Sequence, residues 1–177
     1  MQNADDRFKV VELRPGEIHV ADGPTLIRTL LGSCVSVCLF SPQAKVGAMS
    51  HSVLPYPRYR PPVHDVRYVE CALEEMLDEM LLLGIPSSGL EAKLFGGAEM
   101  FHKTDEQVRF ARLIGDGNTV AARTFLEREG VRVVSECIGG NNGMKLVFNT
   151  STGVVFVRKL TRTIMDELLL PGMERVA

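Results

Sequence analysis

Several large classes are excluded by what this sequence lacks. No apolar run approaches the roughly 20 residues that a membrane-spanning helix needs. The opening stretch Gln2-Asn3-Ala4-Asp5-Asp6-Arg7 is polar and carries no secretory signal pattern. Neither acidic nor basic residues dominate, with 22 Asp and Glu against 20 Lys and Arg. A formal net charge of −2 gives no general reason to expect nucleic acid or an anionic membrane as a partner. The four cysteines, Cys34, Cys38, Cys71 and Cys137, show no paired C-x-x-C spacing, which argues against a structural zinc. Cys34 and Cys38 stand four apart in a strand-like run, too far along the chain for an easy disulfide. Reduced thiols in a cytoplasmic protein are the simplest expectation. Gly96-Gly97 is not followed by Lys-Ser/Thr, so it is no P-loop. Neither a cofactor nor a metal is expected.

What remains is an ordinary globular composition. The 177 residues are 45% hydrophobic and 24% charged, enough for one domain with a proper core. Residues 1–7 read as a flexible N-terminus, 8–160 as the domain, and 161–177 as a tail whose segment 164–170 is amphipathic.

The chain is organised around Thr29-Leu30-Leu31-Gly32-Ser33-Cys34-Val35-Ser36-Val37-Cys38-Leu39-Phe40. A small-residue break, Gly32-Ser33, opens into an apolar run that reads as a buried strand with Cys34 at its mouth. Glycine lets a ligand or another backbone come close, and N–H groups at such a break can point at an oxyanion. A second apolar strand, from Val46 to Pro55, carries a lone histidine, His51. Ser41-Pro42-Gln43-Ala44 closes the first strand, so the two form an antiparallel hairpin in which Cys34 and His51 could fall opposite each other. A thiol and an imidazole on neighbouring strands are the minimum for a Cys–His nucleophile pair. The alternative is a small buried hydrophobe beside a hydrogen-bonded structural histidine. His102, in a polar loop, is a second candidate for the base, and Cys137 reads as a structural thiol.

Elsewhere the pattern is regular. Residues 8–13 and 18–20 read as strands. Residues 56–64 form a stiff Pro- and Arg-rich connector, either a rim for a protein partner or a plain crossover. Residues 66–83 place Val66, Val69, Leu73, Met76, Leu77, Met80 and Leu83 on one helical face, with Asp65 as N-cap and Gly84 as C-cap. Residues 90–95 form a strand running into Gly96-Gly97-Ala98. A helix is expected over 119–129 with Asn118 as its cap, then strands over 131–137, 145–149 and 154–159. Strands and helices in this order argue for an α+β or α/β layered sandwich, a mixed, largely antiparallel sheet packed against two main helices.

Four stretches carry a resemblance. Leu31 to Leu39, Gly47-Ala48-Met49-Ser50-His51 through Leu54-Pro55, Glu91 to Met100, and Gly139-Gly140 followed by Thr152-Gly153 together resemble the CheD family, the chemoreceptor glutamine deamidases of bacterial chemotaxis. The resemblance implies a layered α/β fold and papain-like chemistry with a Cys nucleophile, a His base and a Thr partner. Cys34 and His51 match the family positions. The family threonine lies five or six places before the cysteine; Thr29 stands five before and Arg28 six before, and Thr29 is the expected partner. Backbone groups of Gly32 and Ser33 are the expected oxyanion donors. The resemblance also implies methyl-accepting chemotaxis receptors as protein substrate and a CheC-like phosphatase as partner. Its non-catalytic alternative is an adaptor that binds receptors and that phosphatase. Gly117 and Met144 stand where the family usually carries arginine.

Overall fold

The computed structural model describes residues 8–21, 23–56, 64–99 and 105–160. Nine strands and two α-helices alternate along these residues: β1 Lys9–Glu12, β2 Glu17–Ala21, β3 Thr25–Leu31, β4 Val35–Ser41, β5 Val46–His51, α1 Val69–Leu82, β6 Glu91–Gly96, α2 Asp105–Arg128, β7 Arg132–Ile138, β8 Met144–Asn149 and β9 Val155–Lys159. The strands form two sheets, ordered β1-β3-β8-β9 and β2-β5-β4-β6-β7. Pairing is antiparallel except for β1 with β3 and β6 with β7. Parallel neighbours need a crossover, and α2 supplies it between β6 and β7.

Three layers result. One core lies between the helices and the five-stranded sheet, built from Val35, Val37 and Leu39 of β4, Leu73, Met76 and Met80 of α1, and Phe125 and Leu126 of α2. The other lies between the sheets, where Ile27, Leu31, Leu146 and Phe148 meet Cys38, Met49 and Phe95. Every residue of β4 is buried, because both faces of this central strand are covered. That is why its sequence reads as a continuous apolar run rather than an alternating one.

The first four strands switch sheets at every step, and the switch between β3 and β4 is made by three residues, Gly32-Ser33-Cys34. The stretch beginning at Thr29 is therefore two strands in two sheets, not a single strand with a break near its start. The β4–β5 hairpin has the expected antiparallel sense, but its register pairs Phe40 with Gly47 and Cys38 with Met49. It continues through a bridge between Val35 and Ser52. Cys34 thus faces Val53, and His51 faces Ser36. The two are diagonal neighbours rather than opposite, a spacing of about 7–8 Å between backbones that side chains can span.

Two helix expectations need correction. Asp65 does not cap α1; its carboxylate takes the Arg67 backbone N–H at 3.0 Å. The helix starts after Tyr68 with no side-chain cap, and the Leu54 carbonyl accepts the Val69 N–H at 2.9 Å instead, so Val66 lies before the helix and Leu83, just past its end, is exposed rather than part of the apolar face. The helix expected over 119–129 begins far earlier, at Asp105, so Asn118 lies inside α2 and caps nothing. Gly115 and Gly117 are weak helix formers, yet close packing requires the first and crowds the second. A Cβ on Gly115 would lie 2.8 Å from the Gly97 oxygen, and one on Gly117 would lie 3.2 Å from Pro55. His102, most of the connector, residues 1–7 and the tail 161–177 lie outside the described residues.

Gly96 ends β6 at φ +106, and a Cβ there would overlap the Cys34 carbonyl oxygen. Gly130, at φ +69, has open space around it. Gly96→Ala should therefore cost roughly 2–4 kcal/mol in urea unfolding, against about 1 kcal/mol for Gly130→Ala, whose penalty is backbone strain alone. Equal costs would show that the contact with the Cys34 carbonyl carries no energy.

Candidate active site

Three expected site residues converge on the layer between the sheets. β3 alternates, so Thr25, Ile27, Thr29 and Leu31 face inward and are buried. Arg28, one place earlier than Thr29, points the other way and approaches Glu12 at 3.8 Å. Side-chain alternation allows only one of the two to reach the core. His51, at the end of β5, is 2% exposed. Its Nδ1 lies 2.8 Å from Thr29 Oγ1. Cys34 is partly buried and packs on the inter-sheet core.

One hydroxyl proton orders this arrangement. Thr29 Oγ1 donates to the Leu13 carbonyl at 2.8 Å. A threonine hydroxyl has a single proton to give and lone pairs to receive with. Toward His51 it must therefore accept, so Nδ1 carries the ring hydrogen. Exchanging the roles would leave the Leu13 oxygen without its donor. The tautomer follows from the hydrogen-bond network: in the neutral ring, Nε2 holds the free lone pair. That atom is buried and has no hydrogen-bond partner among the described residues. No hydrogen bond joins it to Cys34 in this resting arrangement; such contacts often tighten only when substrate binds.

Burial sets the protonation of both groups. It holds His51 below the ordinary histidine range, an effect only partly offset by the Leu13 carbonyl and by the charge of Glu17. It pushes the Cys34 thiol above its ordinary value, with the residue's own backbone N–H pulling weakly back. Both shifts favour uncharged forms, so the resting pair is a thiol and a neutral imidazole rather than an ion pair.

The turn that carries Cys34 is anchored through all three of its carbonyls. Gly32 O accepts from Ala98 N–H at 2.8 Å, and Cys34 O from Gly97 N–H at 2.9 Å. Ser33 O accepts from the Asn118 side-chain amide at 3.3 Å. The Gly96-Gly97-Ala98 motif is thus a brace for the turn, and the diglycine lets two backbones touch. Met144 is buried opposite Leu31 in the inter-sheet core. Gly117 lies against Pro55, where a Cβ would press to 3.2 Å from the proline ring. Asn118 contributes to this brace from inside α2, a contact that the capping expectation does not include; the Gly-Asp-Gly-Asn run inside a helix is its sequence signal.

Among the described residues, one group offers metal-type donors: His64, Cys71 and Glu74, within 4.8 Å of one another. His64 Nε2 is already engaged by the Cys71 carbonyl at 2.9 Å. No helix of the described residues is long and apolar enough to cross a membrane.

The family model described as CheD chemotactic sensory transduction matches residues 53–159. A Geobacter sulfurreducens protein named "Probable chemoreceptor glutamine deamidase CheD 2" is 40% identical over 88% of this chain and 93% of its own. A Maridesulfovibrio salexigens protein, "Probable chemoreceptor glutamine deamidase CheD", is 36% identical over 91% of this chain and 97% of its own. An Albidiferax ferrireducens relative, also named "Probable chemoreceptor glutamine deamidase CheD 2", is 43% identical over 81% and 83%.

The lowered pKa of His51 has a consequence for stability. Below the ordinary histidine pKa of about 6.5, the unfolded chain takes up a proton that the folded chain refuses. Stability therefore falls as pH drops through the window down to the folded-state value, and this group contributes nothing above it. Urea midpoints measured from about pH 8 to about pH 5 should decline in the native sequence and decline less in His51→Gln, which has no proton to take up. Parallel declines would contradict a buried, neutral His51.

Proposed function

This chain belongs to the CheD family, and from that membership and the Leu13–Thr29–His51 relay beside Cys34 we propose that it hydrolyses glutamine side chains of chemoreceptors to glutamate, with Cys34 as nucleophile. The activity is that of a protein-glutamine glutaminase, an amidohydrolase. The observation that carries the mechanism is the hydrogen-bond chain from the Leu13 carbonyl through Thr29 Oγ1 to His51 Nδ1, which leaves Nε2 to act as the base.

The reaction proceeds in two halves. As Cys34 Sγ attacks the carboxamide carbon, His51 Nε2 takes the thiol proton. Backbone N–H groups of the Gly32-Ser33-Cys34 turn receive the oxyanion of the tetrahedral intermediate. The C–N bond breaks, His51 returns the proton to the leaving nitrogen, and ammonia departs from a thioester. Water then attacks that thioester with His51 again taking a proton, and glutamate and the free thiol are regenerated.

Threonine is neutral, so it cannot stabilise the transient imidazolium as a carboxylate does in other triads. Its work is orientation. The Leu13 carbonyl dipole and the Glu17 charge, both of which favour a protonated His51, supply that stabilisation instead.

The test is peptide mass spectrometry of a receptor cytoplasmic domain incubated with the native protein, Cys34→Ser, Thr29→Val or Arg28→Ala. Glutamine-to-glutamate conversion should vanish with Cys34→Ser and slow roughly tenfold to a hundredfold with Thr29→Val. Arg28→Ala should stay within about twofold of native, since its side chain faces away from the site. Undiminished conversion by Cys34→Ser would refute the nucleophile. Receptor binding without conversion by the native protein would favour the adaptor reading, in which the chain docks on receptors and on a CheC-like phosphatase.

A further inference from the structure

Asn118 is fully buried inside α2, an unusual place for a carboxamide. Its Nδ2 donates to two carbonyls, Ser33 O at 3.3 Å and Val53 O at 3.0 Å. Ser33 immediately precedes Cys34. Val53 follows His51 by two residues and stands opposite Cys34 in the register of the hairpin. One amide therefore fastens the mouth of the β4–β5 hairpin, beyond its last backbone pair at Val35 and Ser52. The hairpin needs a fastener there. Between that bridge and the regular ladder at Cys38 and Met49, the Val37 N–H goes to the Ser50 hydroxyl at 3.2 Å. The ladder is thus loosened opposite His51.

The helix is shaped around this contact. Gly115 lies against Gly97 and Gly117 against Pro55, so α2 approaches the Cys34 turn on one side and the end of the His51 segment on the other. The Thr119 hydroxyl closes back on the Gly115 carbonyl at 2.9 Å and stabilises the glycine-rich turn of the helix. Two glycines in a helix interior each cost about 1 kcal/mol relative to alanine. Asn118 Oδ1 is buried with no partner among the described residues, a further penalty. An apolar side chain would avoid that penalty, so the amide is retained for its two donors. Flipping the amide would set its oxygen against two carbonyls, which fixes its orientation.

We propose that Asn118 is a positioning residue that sets the separation of Cys34 and His51 by fastening the backbones on either side of them. This rests on the reading of Cys34 and His51 as a nucleophile–base pair. Asn118 touches neither group directly and acts through Ser33 and Val53. In Asn118→Ala the turn and the strand end drift apart, and the imidazole no longer reaches the thiol on its encounter with an electrophile.

The experiment follows the rate of Cys34 alkylation by iodoacetamide against pH, which needs no receptor. Native protein, Asn118→Ala and His51→Ala are compared, with thermal unfolding confirming that each is folded at the assay temperature. His51→Ala should displace the native pH profile, and Asn118→Ala should displace it the same way. In the receptor assay, Asn118→Ala should lower kcat by roughly tenfold to a hundredfold with KM little changed. If Asn118→Ala does not fold, Asn118→Ser, which keeps one donor, is read by the same criterion. A folded Asn118 variant whose alkylation profile superimposes on the native one overturns the proposal, even if its melting temperature falls. A native profile unchanged by His51→Ala removes the pair itself and this role with it. Pair coupling without any receptor conversion removes only the substrate assignment.

Discussion

A single proton on a single hydroxyl underlies the site. Thr29 gives it to the Leu13 carbonyl, and everything else at His51 follows from that gift. The carbonyl comes from the segment after β1, the hydroxyl from β3 of the same four-stranded sheet, and the imidazole from β5 of the other sheet. The relay therefore exists only when the two sheets have closed on each other. Their closure is driven by apolar burial, with Ile27, Leu31, Met49, Met144, Leu146 and Phe148 packed between them. The same burial makes the imidazolium expensive, so the packing that builds the relay also keeps its histidine neutral.

The segment that carries Cys34 is held through its backbone. The Gly32-Ser33-Cys34 turn crosses between sheets and has no ladder to hold it. Its three carbonyls are taken instead by Ala98, Asn118 and Gly97. The glycines of the family signatures acquire a steric meaning here. Gly96 admits the Cys34 carbonyl, and Gly115 admits Gly97. Helix α2, the turn after β6 and the Cys34 turn form one stack in which any added methyl displaces its neighbour.

Much of this was legible in the sequence. Every strand but β3, most of the apolar face of α1 and the antiparallel hairpin follow from alternation, apolar runs and turn residues, which are local signals. Cys34 and His51 could be singled out because a thiol beside a glycine and an imidazole in an apolar strand are each out of place. The choice between Arg28 and Thr29 was harder. It is a question of which strand face meets the core, and only the pairing of β3 with β1 and β8 answers it. The independence of β3 from β4 was hidden by an apolar sequence that continues across a sheet change. The early start of α2 was hidden by Gly115 and Gly117, which read as a loop because their compensation lies in Gly97 and Pro55, distant in sequence. Asn118 looks like a cap in the sequence for the same reason: both carbonyls it serves are far along the chain.

Nitrogen NMR on uniformly 15N-labelled protein reads which ring nitrogen of His51 carries the hydrogen. At a pH where the ring is neutral, two-bond correlations from the ring carbon protons distinguish a protonated from an unprotonated nitrogen. The Leu13–Thr29 arrangement predicts hydrogen on Nδ1 and a bare Nε2, with the assignment lost in Thr29→Val. A native ring carrying its hydrogen on Nε2 would mean that Thr29 donates to the imidazole instead. Nε2 would then be unable to act as the base, and the mechanism built on it would fall.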